Sequence, residues 1–203
     1  DIIIYAMKNK SAELFYERLS WIRNIHWNSH ALYIDENWGS RKDDYEILKS
    51  VIISCEPNRI LDVGCGTGRL FPLFDSLNIK EVLGQDISEK ALKIADTRYS
   101  YNNIKTVCVD LLDLDFPPQF FDLAISNRVL QHIPANKISQ YVKKLAQLCK
   151  YIYINEMCKS DLTAESYYMF HHKYEELFEN NGFSIMNKGM IENQTWYLFL
   201  NKK

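Results

Sequence analysis

The hydrophobic positions of this chain change period near residue 58. Before it, Leu14, Phe15, Leu19, Ile22 and Ile25 recur at three- and four-residue spacing, which predicts an amphipathic helix over 11–26. A second helical segment is expected over 41–55. Between the two, Trp27, His30, Tyr33 and Trp38 form an aromatic, histidine-rich stretch expected to lack strong regular structure. Beyond residue 58, short apolar runs alternate with helical stripes. RILDV, EVLGQD, KTVCVD, FDLAIS and YIYINE read as strands, and GRLFPLFDSL reads as a helix. Ser88 is placed as the N-cap of a helix whose Leu92, Ala95 and Tyr99 share one face. Pro134 opens another, with Ile138, Tyr141, Val142, Leu145 and Leu148 in one stripe. Residues 165–181 are expected to be helical and to stop at Gly182. FSIMNKGMI and TWYLFLN are separated by few residues, so they predict an antiparallel hairpin.

Strands that alternate with helices must pair in parallel, because each crossover helix packs on a sheet face. The fold class expected is therefore α/β: a doubly wound, mostly parallel seven-stranded sheet, a C-terminal antiparallel hairpin and an N-terminal helical cap.

Composition narrows the class of partner. The 203 residues carry a formal net charge of −2, and no Lys/Arg run is long enough to make a basic footprint, so no nucleic acid is expected. The apolar opening DIIIY is too short to span a membrane. Five cysteines (Cys55, Cys65, Cys108, Cys149, Cys158) show no CxxC and no metal-finger spacing, which points to a reducing, cytoplasmic setting and no structural zinc. The first residue is Asp, so a domain of a larger protein is an open reading.

The densest chemistry lies in Ile60-Leu61-Asp62-Val63-Gly64-Cys65-Gly66-Thr67-Gly68-Arg69-Leu70. A hydrophobic strand ends beside a carboxylate, and alternate glycines feed a helix. Glycine permits the sharp turn and leaves no Cβ in a ligand's way. In such sheets ligands bind at the carboxyl ends of the strands, at the switch point. A dinucleotide fingerprint would need its third glycine at position 69, which is Arg69. Asp62 would also repel a pyrophosphate, whereas a sulfonium compound carrying an amino group suits it.

ILDVGCGTGRL resembles the first motif of the Rossmann-like (class I) S-adenosylmethionine-dependent methyltransferases, and the resemblance runs in order over about 60–203. It implies S-adenosyl-L-methionine as cofactor, held by the loop Asp62, Gly64, Cys65, Gly66 and Gly68. VLGQDIS (82–88) resembles the second-strand motif, so Asp86 is placed on the ribose hydroxyls and Ile87 against adenine. In VDLLDLDFP (109–117), Asp110 takes the adenine amino group and the N–H of Leu111 a ring nitrogen. FDLAISNRVLQHIP (121–134) resembles the fourth strand and the loop near the sulfonium, which brings in Asn127. Residues 1–56 match only as a variable cap or lid, with 57–203 as the cofactor-binding domain. Arg41 is a further candidate, for the cofactor's carboxylate.

Methyl transfer asks mainly for alignment and a dry pocket, with a base only where the acceptor arrives protonated. His132, in the loop after the fourth strand, is the first candidate base. His171 and His172 are the others, although neighbours on a helix point about 100° apart, so only one can face a given pocket. Glu156 ends the fifth strand and is open to binding a cation or remaining solvated. No carboxylate cluster suggests a metal. The NPPY-type loop of amino-group methyltransferases of DNA is absent, since Ser126-Asn127-Arg128-Val129 stands there. The expected activity is methylation of a small molecule or sugar, on oxygen. An amine or protein N-methyltransferase, and a cofactor-binding module of a larger protein, are the alternatives.

Overall fold

A computed structural model describes residues 20–38, 44–157 and 169–202. Two helices, α1 (Ser20–Trp38) and α2 (Tyr45–Cys55), precede the alternating part. Then follow β1 (Arg59–Val63), α3 (Phe71–Ser76), β2 (Glu81–Asp86), α4 (Glu89–Arg98), β3 (Ile104–Cys108) and β4 (Phe121–Asn127). The chain continues through α5 (Ile138–Leu148), β5 (Cys149–Met157), α6 (Tyr174–Glu179), β6 (Phe183–Ile191) and β7 (Gln194–Asn201).

The seven strands form one sheet in the order β3-β2-β1-β4-β5-β7-β6. The first five are parallel; β7 runs antiparallel to β5, and β6 antiparallel to β7. The expected doubly wound sheet with its antiparallel edge is the one observed. Its order reverses between β1 and β4, which opens a crevice at their carboxyl ends.

Both faces of the sheet are covered, which is why the central strands read as continuous apolar runs. Leu61, Val63, Ala124, Ile152 and Ile154 pack on one side with Val142, Leu145 and Leu148 of α5 and Phe178 of α6. The alternate residues Ile60, Leu123, Ile125 and Tyr153 pack on the other with Leu48 and Ile52 of α2 and Leu92 and Ala95 of α4. Ser88 caps α4 as expected, its hydroxyl accepting from the Ala91 N–H at 3.2 Å.

Three expectations differ from the structure. The aromatic stretch after residue 26 is helical through Trp38, because nothing from 20 to 38 breaks the helix, and Arg23, His26 and Ala31 share a buried face. Within the stretch expected as a helix over 165–181, only Tyr174–Glu179 is helical among the described residues. The Phe170 N–H instead donates to the Gln131 carbonyl at 2.6 Å, which ties that segment to the loop after β4. The third strand ends at Cys108 rather than at Asp110, because the Asp110 side chain caps a short 3-10 turn by accepting from Leu112 N–H at 3.0 Å. Residues 11–19 of the first expected helix lie outside the described residues, as do Arg41 and Cys158.

The cap is tied to the sheet domain by polar pairs. Arg98 of α4 makes a bidentate pair with Asp35 of α1, both contacts at 2.6 Å, and Asn28 accepts from the Ser88 hydroxyl at 2.9 Å. Among the described residues no helix is long and apolar enough to cross a membrane.

Candidate functional site

The site begins where β1 ends. Gly66 sits at φ +57, a left-handed conformation costly for other residues, and a Cβ added there would meet no atom within 4 Å. At Gly64 an added Cβ would lie 2.5 Å from a Val129 methyl, so the loop presses on the segment after β4. The Gly66 N–H donates to Asp86 Oδ2 at 2.9 Å, and Ser88 N–H donates to Asp86 Oδ1 at 2.8 Å. Asp86 thus holds the loop while each oxygen keeps a lone pair for a ligand. Burial raises its pKa, and those backbone donors oppose the rise.

A cavity of about 480 Å³ opens at the carboxyl ends of the strands beneath α1, within the roughly 300–1,000 Å³ of small-molecule and cofactor sites. Gly64, Cys65, Gly66, Asp86, Ile87, Asp110, Leu111, Asn127 and His132 all line it. Gly68, Asp62, His171 and His172 are not on its wall. Gly68 turns the chain into α3, at φ +79 against the Phe71 ring. His171 is exposed. His172 donates through Nε2 to the Ile133 carbonyl at 2.8 Å, and burial lowers its pKa.

Three groups converge on Asp110. Its carboxylate accepts from the Leu112 N–H, from the Tyr141 hydroxyl at 2.7–2.8 Å and from Arg23 Nη2 at 2.9 Å. Arg23 comes from α1 and also donates to the Tyr141 oxygen at 3.0 Å. The adenine contact implied by resemblance would share a carboxylate already held by the cap.

At the opposite side, Arg69 occupies the place where a dinucleotide loop has glycine. Its guanidinium forms a bidentate pair with Asp44, at 2.8 and 3.1 Å, just before α2. Asn127 Nδ2 donates to the same carboxylate. Two buried oxygens nearby have no hydrogen-bond partner, Oδ1 of Asn127 and Oδ2 of Asp62. Burial pushes Asp62 up to about 8, with Arg69 opposing.

Beyond the loop the wall is made of rings. Trp27 meets His132 edge-to-face at 4.7 Å, and His26 stacks at a tilt on His30 at 4.1 Å. All four line the cavity. Burial first, then His30 and His132, push His26 down to about 4, so it is neutral at pH 7. Among the described residues no group of three or more His, Cys, Asp or Glu side chains is placed to hold a metal ion. Glu156 is buried under this loop rather than presented to a ligand. It accepts from the backbone N–H groups of Val129, Leu130 and Gln131 at 3.0–3.3 Å. Burial pushes Glu156 up to about 8, and those three donors oppose the rise.

Arg23, His26, Asp44 and Gln131 also belong to this site, although no sequence motif marks them. Arg23, His26, Trp27, His30 and Ile34 lie at helical spacing, a signal cut short because the expected helix ends at residue 26 and the observed one runs to Trp38.

Residues 60–151 match the model of a methyltransferase domain. An uncharacterized methyltransferase of Mycobacterium tuberculosis is 30% identical over 100 residues, 49% of this chain and 50% of that protein. A malonyl-[acyl-carrier protein] O-methyltransferase of Acetivibrio thermocellus is 35% identical over 92 residues, 45% of this chain and 31% of that protein. The chain spans about half the length of the mycobacterial relatives it matches. The crystal structure of magnesium protoporphyrin IX methyltransferase from Synechocystis, with bound S-adenosylhomocysteine, superposes with a TM-score of 0.73 at 20% identity, covering 90% of this chain and all of that one. Sheet order and glycine loop define a Rossmann-like α/β fold. Residues 60–151 are similar to a methyltransferase domain, and the fold around them is that of S-adenosylmethionine-dependent methyltransferases of known structure.

The residues present fit that cofactor. Gly66 leaves open a space that a Cβ would fill, Asp86 offers lone pairs suited to a diol, and the orphaned Asn127 oxygen suits an ammonium donor.

Proposed function

We propose that this chain methylates an oxygen atom of a small acceptor held between α1 and the loop after β4. The observation that carries the reading is one continuous cavity that joins the Gly66–Asp86 cradle to the ring-lined chamber of His26, Trp27, His30 and His132. Bound S-adenosylmethionine supplies an electrophilic methyl group on a positively charged sulfur. In this reading Asp86 holds the ribose hydroxyls, the Asn127 oxygen accepts from the amino group, and Leu111 and Ile87 flank adenine. Helix α1 excludes water, through Arg23 on Asp110 at one end and Asp35 on Arg98 at the other. Dry, aligned reactants are what this transfer chiefly requires, and alignment alone is worth about 7–11 kcal/mol of barrier.

Oxygen is favoured over nitrogen because the chamber sets three imidazoles, of His26, His30 and His132, against one carboxylate, that of Glu192. The malonyl-[acyl-carrier protein] O-methyltransferase named above is a relative on the side of oxygen. The Trp27 and Tyr33 rings, which would suit a cationic acceptor, are the observation on the side of nitrogen. The test is incubation with methyl-labelled cofactor and a fractionated metabolite extract, followed by mass spectrometry. Label on oxygen supports the proposal; label on nitrogen selects the alternative. Cofactor binding with no label transferred to any fraction would favour a binding module.

A further inference from the structure

Asn127 closes β4 on the cavity wall, and the direction of its amide is decided from behind that wall. Its Nδ2 donates to Asp44 Oδ2, and its Oδ1 is buried without a hydrogen-bond partner. A carboxylate only accepts, so the nitrogen end must face Asp44 and the oxygen end is the one left for a ligand. Asp44 is charged here. Burial would raise its pKa, but the Arg69 guanidinium, joined by Asn127, brings it below its ordinary value.

An Asp at a helix N-cap usually spends its carboxylate on the helix's own N–H groups. Asp44 is the N-cap of α2, yet its side chain makes no cap hydrogen bond. Only its backbone serves the helix, the carbonyl accepting from the Leu48 N–H at 2.9 Å. Both carboxylate oxygens are turned elsewhere, to Arg69 at 2.8 and 3.1 Å and to Asn127. The next residue joins in, since the Tyr45 hydroxyl donates to the Arg69 carbonyl. The start of α2 thus grips the residue after Gly68 and the last residue of β4 at once. Asp44 itself is 1% exposed and is not on the cavity wall, so it reaches a ligand only through Asn127.

We propose that Asp44 is a positioning residue, which fixes the Asn127 amide with its oxygen toward the cofactor and so makes the site select ligands that carry an amino group. This rests on the reading above, in which that oxygen accepts from the cofactor's amino group. Asp44→Asn turns the device round. The new side chain has one oxygen, and Arg69 claims it, because a guanidinium only donates. The new amide nitrogen then faces Asn127, which must answer with its oxygen. The N–H groups of Asn127 are left toward the cavity, where they oppose an ammonium.

The test compares two ligands by calorimetric titration: S-adenosylhomocysteine, and its desamino analogue, which keeps the carboxylate and lacks only the amino group. The wild type should prefer S-adenosylhomocysteine by about tenfold or more. Asp44→Asn should lose most of that preference through weaker S-adenosylhomocysteine binding, while the analogue binds within about threefold of wild type. Equal weakening of both ligands is the behaviour of a merely structural residue, and an unchanged preference leaves Asp44 no part in selection; either overturns the proposal. Asn127→Ala separates orientation from the bare charge of Asp44. In that background Asp44→Asn should change S-adenosylhomocysteine affinity by less than about threefold. A full further loss would mean that the charge acts directly, and would overturn the positioning role. If Asp44→Asn alone does not fold, Asp44→Asn combined with Asn127→Asp keeps the charge of the cluster and again sets an oxygen toward the cavity. That pair should retain the preference for the amino group, and its loss in a folded sample overturns the proposal. A wild type that binds both ligands alike would sink the reading of the Asn127 oxygen, and one that binds neither would sink the cofactor assignment; this inference falls with either.

Discussion

Substituting alanine at two glycines of the loop should separate folding from binding. Gly66 lies at φ +57 with no atom within 4 Å of an added Cβ. Gly66→Ala therefore meets no protein clash and costs only the left-handed backbone penalty, about 1–2 kcal/mol. For a domain of this size that lowers Tm by roughly 2–8 °C. Gly64 has φ +62 and would place its Cβ 2.5 Å from Val129. Gly64→Ala adds overpacking of about 1–3 kcal/mol to the same backbone penalty, so it should be clearly the less stable of the two. Affinity should rank the other way. The new methyl of Gly66→Ala projects into the space proposed for the cofactor and forces it off the loop. Losing two or three hydrogen bonds of about 0.5–1.5 kcal/mol each amounts to about 2 kcal/mol, or roughly thirtyfold in Kd. Calorimetric titration with S-adenosylhomocysteine beside thermal melts measures both. A Gly66→Ala protein that binds within twofold of wild type would refute this use of the loop.

Other substitutions probe the supports of the site. Asp44→Ala would remove the buried carboxylate that pairs with the Arg69 guanidinium and should cost about 3–5 kcal/mol in urea unfolding; a loss below 1 kcal/mol would show that the Asp44–Arg69 pair does not anchor α2. Burial holds a proton on Asp62 up to about pH 8 in the folded chain, against about 3.9 when unfolded. Stability should therefore fall as pH rises between those values. Asp62→Asn, a permanent mimic of the protonated form, should flatten that fall and come nearest to wild type below about pH 4; unchanged slopes in pH-dependent melts would contradict the assignment. Trp27→Ala removes the ring that meets His132 at 4.7 Å. With about 0.5–1.5 kcal/mol at stake, acceptor KM should rise threefold to tenfold, while cofactor affinity stays within threefold; a shift confined to the cofactor would move Trp27 out of the acceptor chamber.

The parts of this molecule legible in its sequence are those in which neighbours along the chain do the work. Strands buried on both faces announce themselves as RILDV and FDLAIS, and the glycine loop does so because a backbone turn needs particular residues at fixed spacing. Asp86, Asp110, Asn127 and His132 follow, since each sits at or just past a strand end, where the fold brings all such ends together. What stayed hidden depends on distant packing. Arg69 reads as a missing glycine until Asp44, 25 positions away, is seen to hold it. The Arg23 contact with Asp110 crosses 87 positions. Glu156 and Gln131 look like solvated polar residues because nothing local tells that the backbone of 129–131 turns over them. The adjacent pair His171 and His172 looked functional through residue type alone. One is exposed and the other is spent on a carbonyl, and neither lines the cavity.

The central claim, a class I cofactor site built on the Gly66–Asp86 cradle, is tested most directly by calorimetric titration of the wild-type chain and of Asp86→Ala with S-adenosylhomocysteine. The account predicts micromolar binding to the wild type. In Asp86→Ala, loss of charge-assisted bonds totalling about 3 kcal/mol should weaken it roughly a hundredfold, with both proteins folded by circular dichroism. A folded wild-type chain that binds nothing at millimolar S-adenosylhomocysteine, or an Asp86→Ala variant that binds as tightly as wild type, would contradict it.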